Sequence, residues 1–114
     1  MKSIVVILSL VASQFASAHG DHPKRVAPCA VAKCTQAEIE LAIPSAIETL
    51  TISGKIPASW KKATVEKTEK KEFKKGAEWV TTLFDKDQKE TSKQRLYIFV
   101  TLSGYLNGVN YTGE

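Results

Sequence analysis

The stretch Arg95-Leu96-Tyr97-Ile98-Phe99-Val100-Thr101-Leu102 decides the fold of this chain. Aliphatic side chains occupy every second position from Leu96 and alternate with aromatic rings, which is the pattern of a β-strand that is apolar on both faces. Ser103-Gly104 then turns the chain, and residues 105–112 return along it, with Gly108 at a bulge or turn. The sequence therefore predicts an antiparallel hairpin at the C-terminal end.

Two more strands are predicted upstream of this hairpin. Residues 78–84 alternate Trp, Thr and Leu with Val, Thr and Phe, which favours a strand. Residues 63–73 alternate charged side chains with Thr and Val and suit an edge strand protected by lysines, although an exposed helix has a similar composition. Lys74-Lys75-Gly76 forms the turn between the two, and residues 85–93 form a hydrophilic loop.

A helix is predicted before the strands. Thr35-Gln36-Ala37-Glu38 has the pattern of a capping box. In this motif the Thr35 hydroxyl accepts a hydrogen bond from the backbone N–H of Glu38, and the Glu38 carboxylate accepts one from the backbone N–H of Thr35. Gly54 is a natural stop, and Trp60 in the following connector is expected to fill the core. Between the cap and Gly54, apolar residues recur at helical spacing at Ile39, Ile43, Ala46, Ile47 and Leu50. Pro44 lies inside this pattern and predicts a kink or a break.

The order of elements predicts an α+β domain over residues 35–114, preceded by an irregular N-terminal arm over residues 19–34. One helix, either straight or kinked, packs on a three- to four-stranded antiparallel β-meander. The central strands are apolar on both faces, whereas one helix covers only one face. We therefore expect the second face to be covered by the arm, a second protomer or a ligand. That face holds either the Leu96-Ile98-Val100 row or the aromatic residues Trp79, Tyr97 and Phe99.

The first 18 residues have the order of a cleavable secretory signal. Lys2 precedes an apolar run over residues 4–12, and Ala16-Ser17-Ala18 follows as a cleavage site. The run is shorter than the roughly 20 residues of a spanning helix, so a retained anchor is the less favoured alternative. We predict a mature chain that begins at His19, is periplasmic or secreted, and has no membrane span after cleavage.

Composition excludes several classes of function. The chain carries 16 basic and 12 acidic residues, and this mild excess on an exported protein does not indicate a nucleic-acid partner. The sequence has neither a glycine-rich phosphate loop nor a Gly-x-Ser-x-Gly motif, and both histidines lie in the arm. We predict that the protein is not an enzyme.

The mature N-terminus offers a weak metal-binding pattern. Cleavage would place the α-amine and imidazole of His19 close in sequence to the imidazole of His22, and such nitrogens are good ligands for Cu(II) or Zn(II). The alternative is that both histidines are solvated side chains in a mobile tail.

Cys29 and Cys34 are predicted to form a disulfide, since paired cysteines are usual in an oxidising compartment. Metal ligation together with the histidines and free thiols are the alternatives. The spacing is neither a trusted zinc pattern nor the Cys-x2-Cys redox motif.

The mature chain resembles a family of small exported bacterial proteins known only as a domain of unknown function, similar in pattern to PepSY-like domains. The resemblance implies a helix on an antiparallel meander in the periplasm. PepSY-like domains act as binding or inhibitory modules, and no catalytic residue carries over. The matching segments are His19-Gly20-Asp21-His22, Lys55-Ile56-x-x-Ser59-Trp60, Gly76-x-Glu78-Trp79-Val80, Lys93-Gln94-x-Leu96-Tyr97-x-Phe99 and Gly104-Tyr105-x4-Asn110-Tyr111-Thr112-Gly113.

Two functions follow as hypotheses. In the first, a periplasmic accessory protein binds divalent metal weakly, Cu or Zn, through His19 and His22. In the second, a non-enzymatic, inhibitor-like module binds a protein or peptide partner, or a second copy of itself, with Trp79, Tyr97 and Phe99 as anchors on one sheet face.

Overall fold

The computed structural model describes residues 24–29 and 33–114. The strands form a single antiparallel sheet in the order β1-β2-β3-β4, and the helix packs on one of its faces. The predicted α+β arrangement of a helix on an antiparallel meander is therefore confirmed. The elements are the helix α1 (Gln36–Ile52) and the strands β1 (Thr64–Phe73), β2 (Gly76–Phe84), β3 (Arg95–Thr101) and β4 (Leu106–Asn110).

The helix α1 begins at the predicted capping box. The backbone N–H of Thr35 donates to Glu38 Oε1 at 2.8 Å, and the N–H of Glu38 donates to Thr35 Oγ1 at 3.2 Å. Two backbone donors at the helix start are thereby satisfied by side chains. At the other end Gly54, at φ +78°, leaves the helical conformation, as its position in the sequence predicts.

Pro44 does not break the helix, so the predicted break is wrong. The helix α1 continues through Pro44 to Ile52. Proline has no N–H, and the carbonyl of Glu40 therefore lacks its usual helical donor. The neighbouring residues Ile43 and Ile47 are buried against the sheet, and this packing holds the helix together across the missing hydrogen bond.

The hydrophobic core lies between α1 and one face of the sheet, which we call the helix-side face. Trp60 in the connector is completely buried, as predicted. The helix contributes Ile39, Ala42, Ile43, Ala46, Ile47 and Leu50, and the sheet contributes Trp79, Leu83, Leu96, Ile98 and Val100.

Strand register separates the three aromatic residues that were predicted to form one binding face. Trp79 pairs with Val100, whereas Val80 pairs with Phe99. Because cross-strand partners share a face and side chains alternate along a strand, Trp79 lies on the helix-side face and Phe99 on the opposite one. Tyr97 lies with Phe99, and we call their side of the sheet the open face. The prediction of one Trp79–Tyr97–Phe99 face is therefore wrong.

The described part of the arm is held on the turn between β3 and β4. The N–H groups of Val26 and Ala27 donate to the carbonyl of Gly104 at 2.8 and 3.1 Å. The N–H of Leu106 donates to the carbonyl of Lys24 at 2.7 Å. The arm therefore adds a short extension beside the first residue of β4.

The predicted disulfide between Cys29 and Cys34 is confirmed, with Cα atoms 5.2 Å apart. It joins the arm to the residue before the N-cap of α1. The N–H of Cys34 also donates to the carbonyl of Leu102 at 2.7 Å. The arm, the helix start and the β3–β4 turn are thus tied at one place.

The predicted signal, residues 1–18, and both histidines lie outside the described residues. Among the helices that are described, none has the length and apolar character needed to cross a membrane.

Candidate binding groove

The open face is covered mostly by the chain itself. The ring of Phe73 meets that of Phe99 with centroids 5.9 Å apart, and Gly113 lies so near Tyr97 that a Cβ there would be 3.1 Å from the ring. Val80 beneath them is completely buried. Where these residues cover it, the face does not need the arm, a second protomer or a ligand, contrary to the expectation. Residues at the strand ends fold over the sheet instead.

A groove of about 310 Å³ remains at the β4 side of this face. We call it the β4 groove. Its floor includes an aromatic pair, its wall a carboxylate and an amide, and its rim the end of β4 and the segment that follows. The residues that matter for binding are Phe73, Glu78, Phe99, Asn107, Asn110 and Glu114.

Glu78 is the chemically distinctive residue of the groove. Its Oε2 accepts a hydrogen bond from Asn107 Nδ2 at 2.7 Å, whereas its Oε1 is buried and has no hydrogen-bond partner among the described residues. Lys71 is its cross-strand neighbour, yet the described residues contain no ion pair between the two. Leaving a buried acceptor unpaired costs about 1–3 kcal/mol, so a ligand donor that meets Oε1 when the Glu78 side chain turns toward the groove would be favoured.

A β-bulge positions Asn107 beside Glu78. Phe99 pairs with Gly108 and Val100 pairs with Leu106, which leaves Asn107 as the extra residue of β4. The predicted irregularity near Gly108 is therefore confirmed. A Cβ at Gly108 would meet nothing within 4 Å, so the space beside this residue is open. The bulge thus directs an amide toward the carboxylate while the adjacent glycine leaves the groove unfilled.

The residues after β4 are held at the rim by Asn110. Its Oδ1 accepts hydrogen bonds from the N–H groups of Thr112 and Gly113 at 3.1 and 2.8 Å. Its Nδ2 donates to the carbonyl of Glu114 at 3.2 Å. This turn brings Glu114 to the groove, so that the described lining contains two acidic residues and no basic one.

A second charged feature lies on β1 and β3, away from the groove. Arg95 binds Glu66 in a bidentate pair, with Nε–Oε1 and Nη2–Oε2 distances of 2.8 and 2.9 Å. The guanidinium also lies 4.7 Å from the centroid of the Phe84 ring. The hydrogen bond from Arg95 lowers the pKa of Glu66 below its ordinary value.

The aromatic residues predicted as anchors differ in what they can contact. Phe99 contributes to the groove although only 7% of its surface is exposed, and Tyr97 is half-buried beneath Gly113. Trp79 is in the core, with the ammonium of Lys70 lying 5.8 Å from its ring centroid. The groove therefore takes one of the three predicted anchors and not all three.

The cysteines do not offer a thiolate metal site. Cys29 and Cys34 are bonded to each other and lie within 4.8 Å of the Glu38 carboxylate. A disulfide sulfur lacks the thiolate charge on which cysteine ligation depends. The alternatives of metal-bound cysteines and of free thiols are therefore wrong.

Sequence reasoning missed five of the six groove residues, namely Phe73, Glu78, Asn107, Asn110 and Glu114. For Glu78 a sequence signal existed, because it is the acidic residue that begins the predicted strand over residues 78–84. It also belongs to the quoted motif Gly76-x-Glu78-Trp79-Val80. The contacts of Phe73 and Asn107 depend on strand pairing, which sequence spacing does not reveal.

Fold and groove together define a small disulfide-containing α+β domain with a ligand-sized groove at the edge of its sheet. The sequence model of a family of unknown function, DUF6488, matches residues 1–114, and the chain belongs to this family. The predicted membership of an uncharacterised family is confirmed, whereas the likeness to PepSY-like domains stays a prediction. No curated protein matches the chain. No solved structure matches it either.

Proposed function

We propose that the protein is a non-enzymatic accessory protein of the periplasm that binds a protein or peptide partner at the β4 groove. The observation that carries this proposal is the unpartnered Oε1 of Glu78 in a groove built on Phe73 and Phe99. Aromatic walls with a few well-placed polar groups are typical of binding sites. The inhibitor-like role suggested by PepSY-like domains is consistent with such a module.

The groove is also placed where a polypeptide can reach it. Asn107 and Asn110 belong to β4, which is an edge strand of the sheet. An edge strand offers backbone donors and acceptors, while the groove beside it offers side-chain selectivity. A partner would therefore contact backbone and groove at once.

Site-specific photo-crosslinking in the periplasm tests this proposal. Benzoylphenylalanine placed at position 107 should give a discrete crosslinked species, because that position lies at the groove. The same photoreactive residue at position 55, beyond the end of α1, serves as the control. Equal crosslinking at both positions, or none at position 107, contradicts the proposal.

We also propose that the arm binds divalent metal, Cu(II) or Zn(II), weakly through His19 and His22. Lys24 accepts a hydrogen bond from the N–H of Leu106 at 2.7 Å, and Arg25 forms a β-bridge with Tyr105. This attachment begins two residues after His22 in the sequence. Holding Lys24 in place would lower the entropic cost of gathering the amine and imidazoles around Cu(II) or Zn(II).

Calorimetric titration of the processed protein with Cu(II) and with Zn(II) tests the metal proposal. The double variant His19→Ala/His22→Ala should abolish the binding heat. The control variant Lys33→Ala, which changes a residue of the arm that is not a proposed ligand, should leave the binding heat unchanged. Affinity that survives the loss of both histidines contradicts the proposal.

A further inference from the structure

We infer that the β4 groove receives a basic side chain, arginine or lysine, carried by an extended partner segment that pairs with the outer edge of β4, which has no strand partner over residues 107–110 in the described part of the chain. This inference rests on the proposed function and names the ligand chemistry of the same site.

The charge of the groove favours a cation. Glu78 offers a carboxylate oxygen without a donor, and Glu114 adds a second acidic residue at the rim. This acidic lining stands out in a chain whose formal net charge is +4. Because Oε1 is buried in this conformation, the Glu78 side chain must turn toward the groove to meet a ligand. A guanidinium or ammonium would then donate to its carboxylate through a charge-assisted hydrogen bond, which is stronger than a neutral one.

The aromatic pair is compatible with the same ligand. The rings of Phe73 and Phe99 meet edge to face, with an interplanar angle of 62°. Aromatic faces attract ammonium and guanidinium groups, and the aliphatic part of a lysine or arginine side chain packs on apolar walls. A volume of about 310 Å³ is at the lower end of ligand pockets and suits one long side chain better than a large ligand.

The edge of β4 can accept an added strand. The strand β1, at the other edge of the sheet, carries lysines and glutamates that discourage pairing, whereas β4 contains no charged residue. Among the described residues, the backbone contacts of the arm with β4 itself are limited to its first residue, Leu106. The outer side of residues 107–110 has no strand partner in this described part. Backbone pairing there would hold a side chain beside the groove.

Matched peptides test the inference. The peptide Thr-Val-Arg-Val-Thr, acetylated at its N-terminus and amidated at its C-terminus, is titrated into the full mature chain. Binding is monitored through the backbone amide NMR signals of Gly108 and Val109. The comparison peptide replaces arginine with citrulline, which has nearly the same shape without the charge. We expect the arginine peptide to bind about tenfold more tightly, since one charge-assisted hydrogen bond is worth at least ~1.4 kcal/mol.

Glu78→Gln should remove this tenfold preference while leaving the citrulline peptide unaffected. Glu72→Gln is the matched control, because Glu72 is an exposed acid on β1 that does not line the groove. Equal affinity for the two peptides, or no shift with either, overturns the inference. If the peptide binds only after residues 19–23 are removed, the chain itself occupies the edge of β4 and the inference is overturned. A dimer that buries β4 also overturns the inference. Equal affinity for the two peptides together with a position-107 crosslink leaves the proposed function standing and overturns only the inference of a basic ligand.

Discussion

Gly104 lies directly against the carbonyl group of Ala27, with no room for a side chain between them. Its backbone is at φ +95°, a conformation that other residues rarely adopt. The carbonyl of Gly104 in turn accepts hydrogen bonds from Val26 and Ala27. This one glycine therefore lets the β3–β4 turn and the arm approach each other closely.

Gly104→Ala should destabilise the fold by about 3 kcal/mol, because it combines a strained φ with a backbone clash. Gly54→Ala is the matched control, since Gly54 also has a positive φ but has nothing within 4 Å of a new Cβ. That control should cost about 1 kcal/mol. Urea unfolding of both variants measures the difference. Equal costs would show that the contact with Ala27 is unimportant.

Replacing both cysteines with alanine should reduce the free energy of unfolding by about 2 kcal/mol, the entropic value for so short a loop. The reason is that Cys29 and Cys34 close a loop with a sequence separation of only 5. Urea unfolding with and without dithiothreitol measures this loss, and the alanine variant should be insensitive to the reductant. A wild-type midpoint that the reductant does not move contradicts the prediction.

Pro44→Ala should stabilise the protein by about 1 to 3 kcal/mol, because it restores the hydrogen bond to the Glu40 carbonyl inside α1. Pro44 is exposed, so its removal opens no core cavity. Ser45→Ala controls for helix propensity and should change stability by no more than about 0.5 kcal/mol. Thermal unfolding followed by circular dichroism compares the two. A lower melting temperature for Pro44→Ala would mean that the proline makes a packing contribution larger than the missing hydrogen bond.

The Glu66–Arg95 pair predicts a pH dependence of stability on the acid side. Arg95 lowers the pKa of Glu66 from its ordinary value of 4.5, so the unfolded state binds the proton more readily than the folded state. The stabilisation is present above pH 4.5 and is lost as pH falls through the lower folded-state pKa. Urea midpoints of wild type and Glu66→Gln should differ at pH 7 and converge in acid.

Salt provides the control for this pair. Because both side chains are partly exposed, 1 M NaCl should shrink the difference at pH 7. A difference that is the same at pH 2 and pH 7 would rule out ionisation of Glu66 as its source.

Local patterns predicted most of the elements correctly. The Thr35–Glu38 capping box, the alternation in β2 and β3 and the Gly76 turn act between residues that are close in the chain, and each is present as expected. The polar segment that became β1 was ambiguous, because its charges suit an exposed helix as well as an edge strand. Pairing with β2 decides in favour of the strand.

The candidate site was predicted only in part. Phe99 was identified from its alternating strand, but Trp79 was grouped with it although the register puts the two on opposite faces. Glu78 and Asn107 meet across a sequence separation of 29 residues. No spacing rule connects such a pair, because β3 lies between their strands.

The sequence by itself determined the helix with its cap and the strands β2 and β3, and it favoured the pairing of the two cysteines, since these depend on short-range geometry and composition. Only the tertiary structure decided which side chains share a face, how Gly113 and Phe73 cover the open face, and where a groove remains. The physical reason is that register and coverage arise from contacts between distant segments, and a shift of one residue would exchange the two faces of a strand.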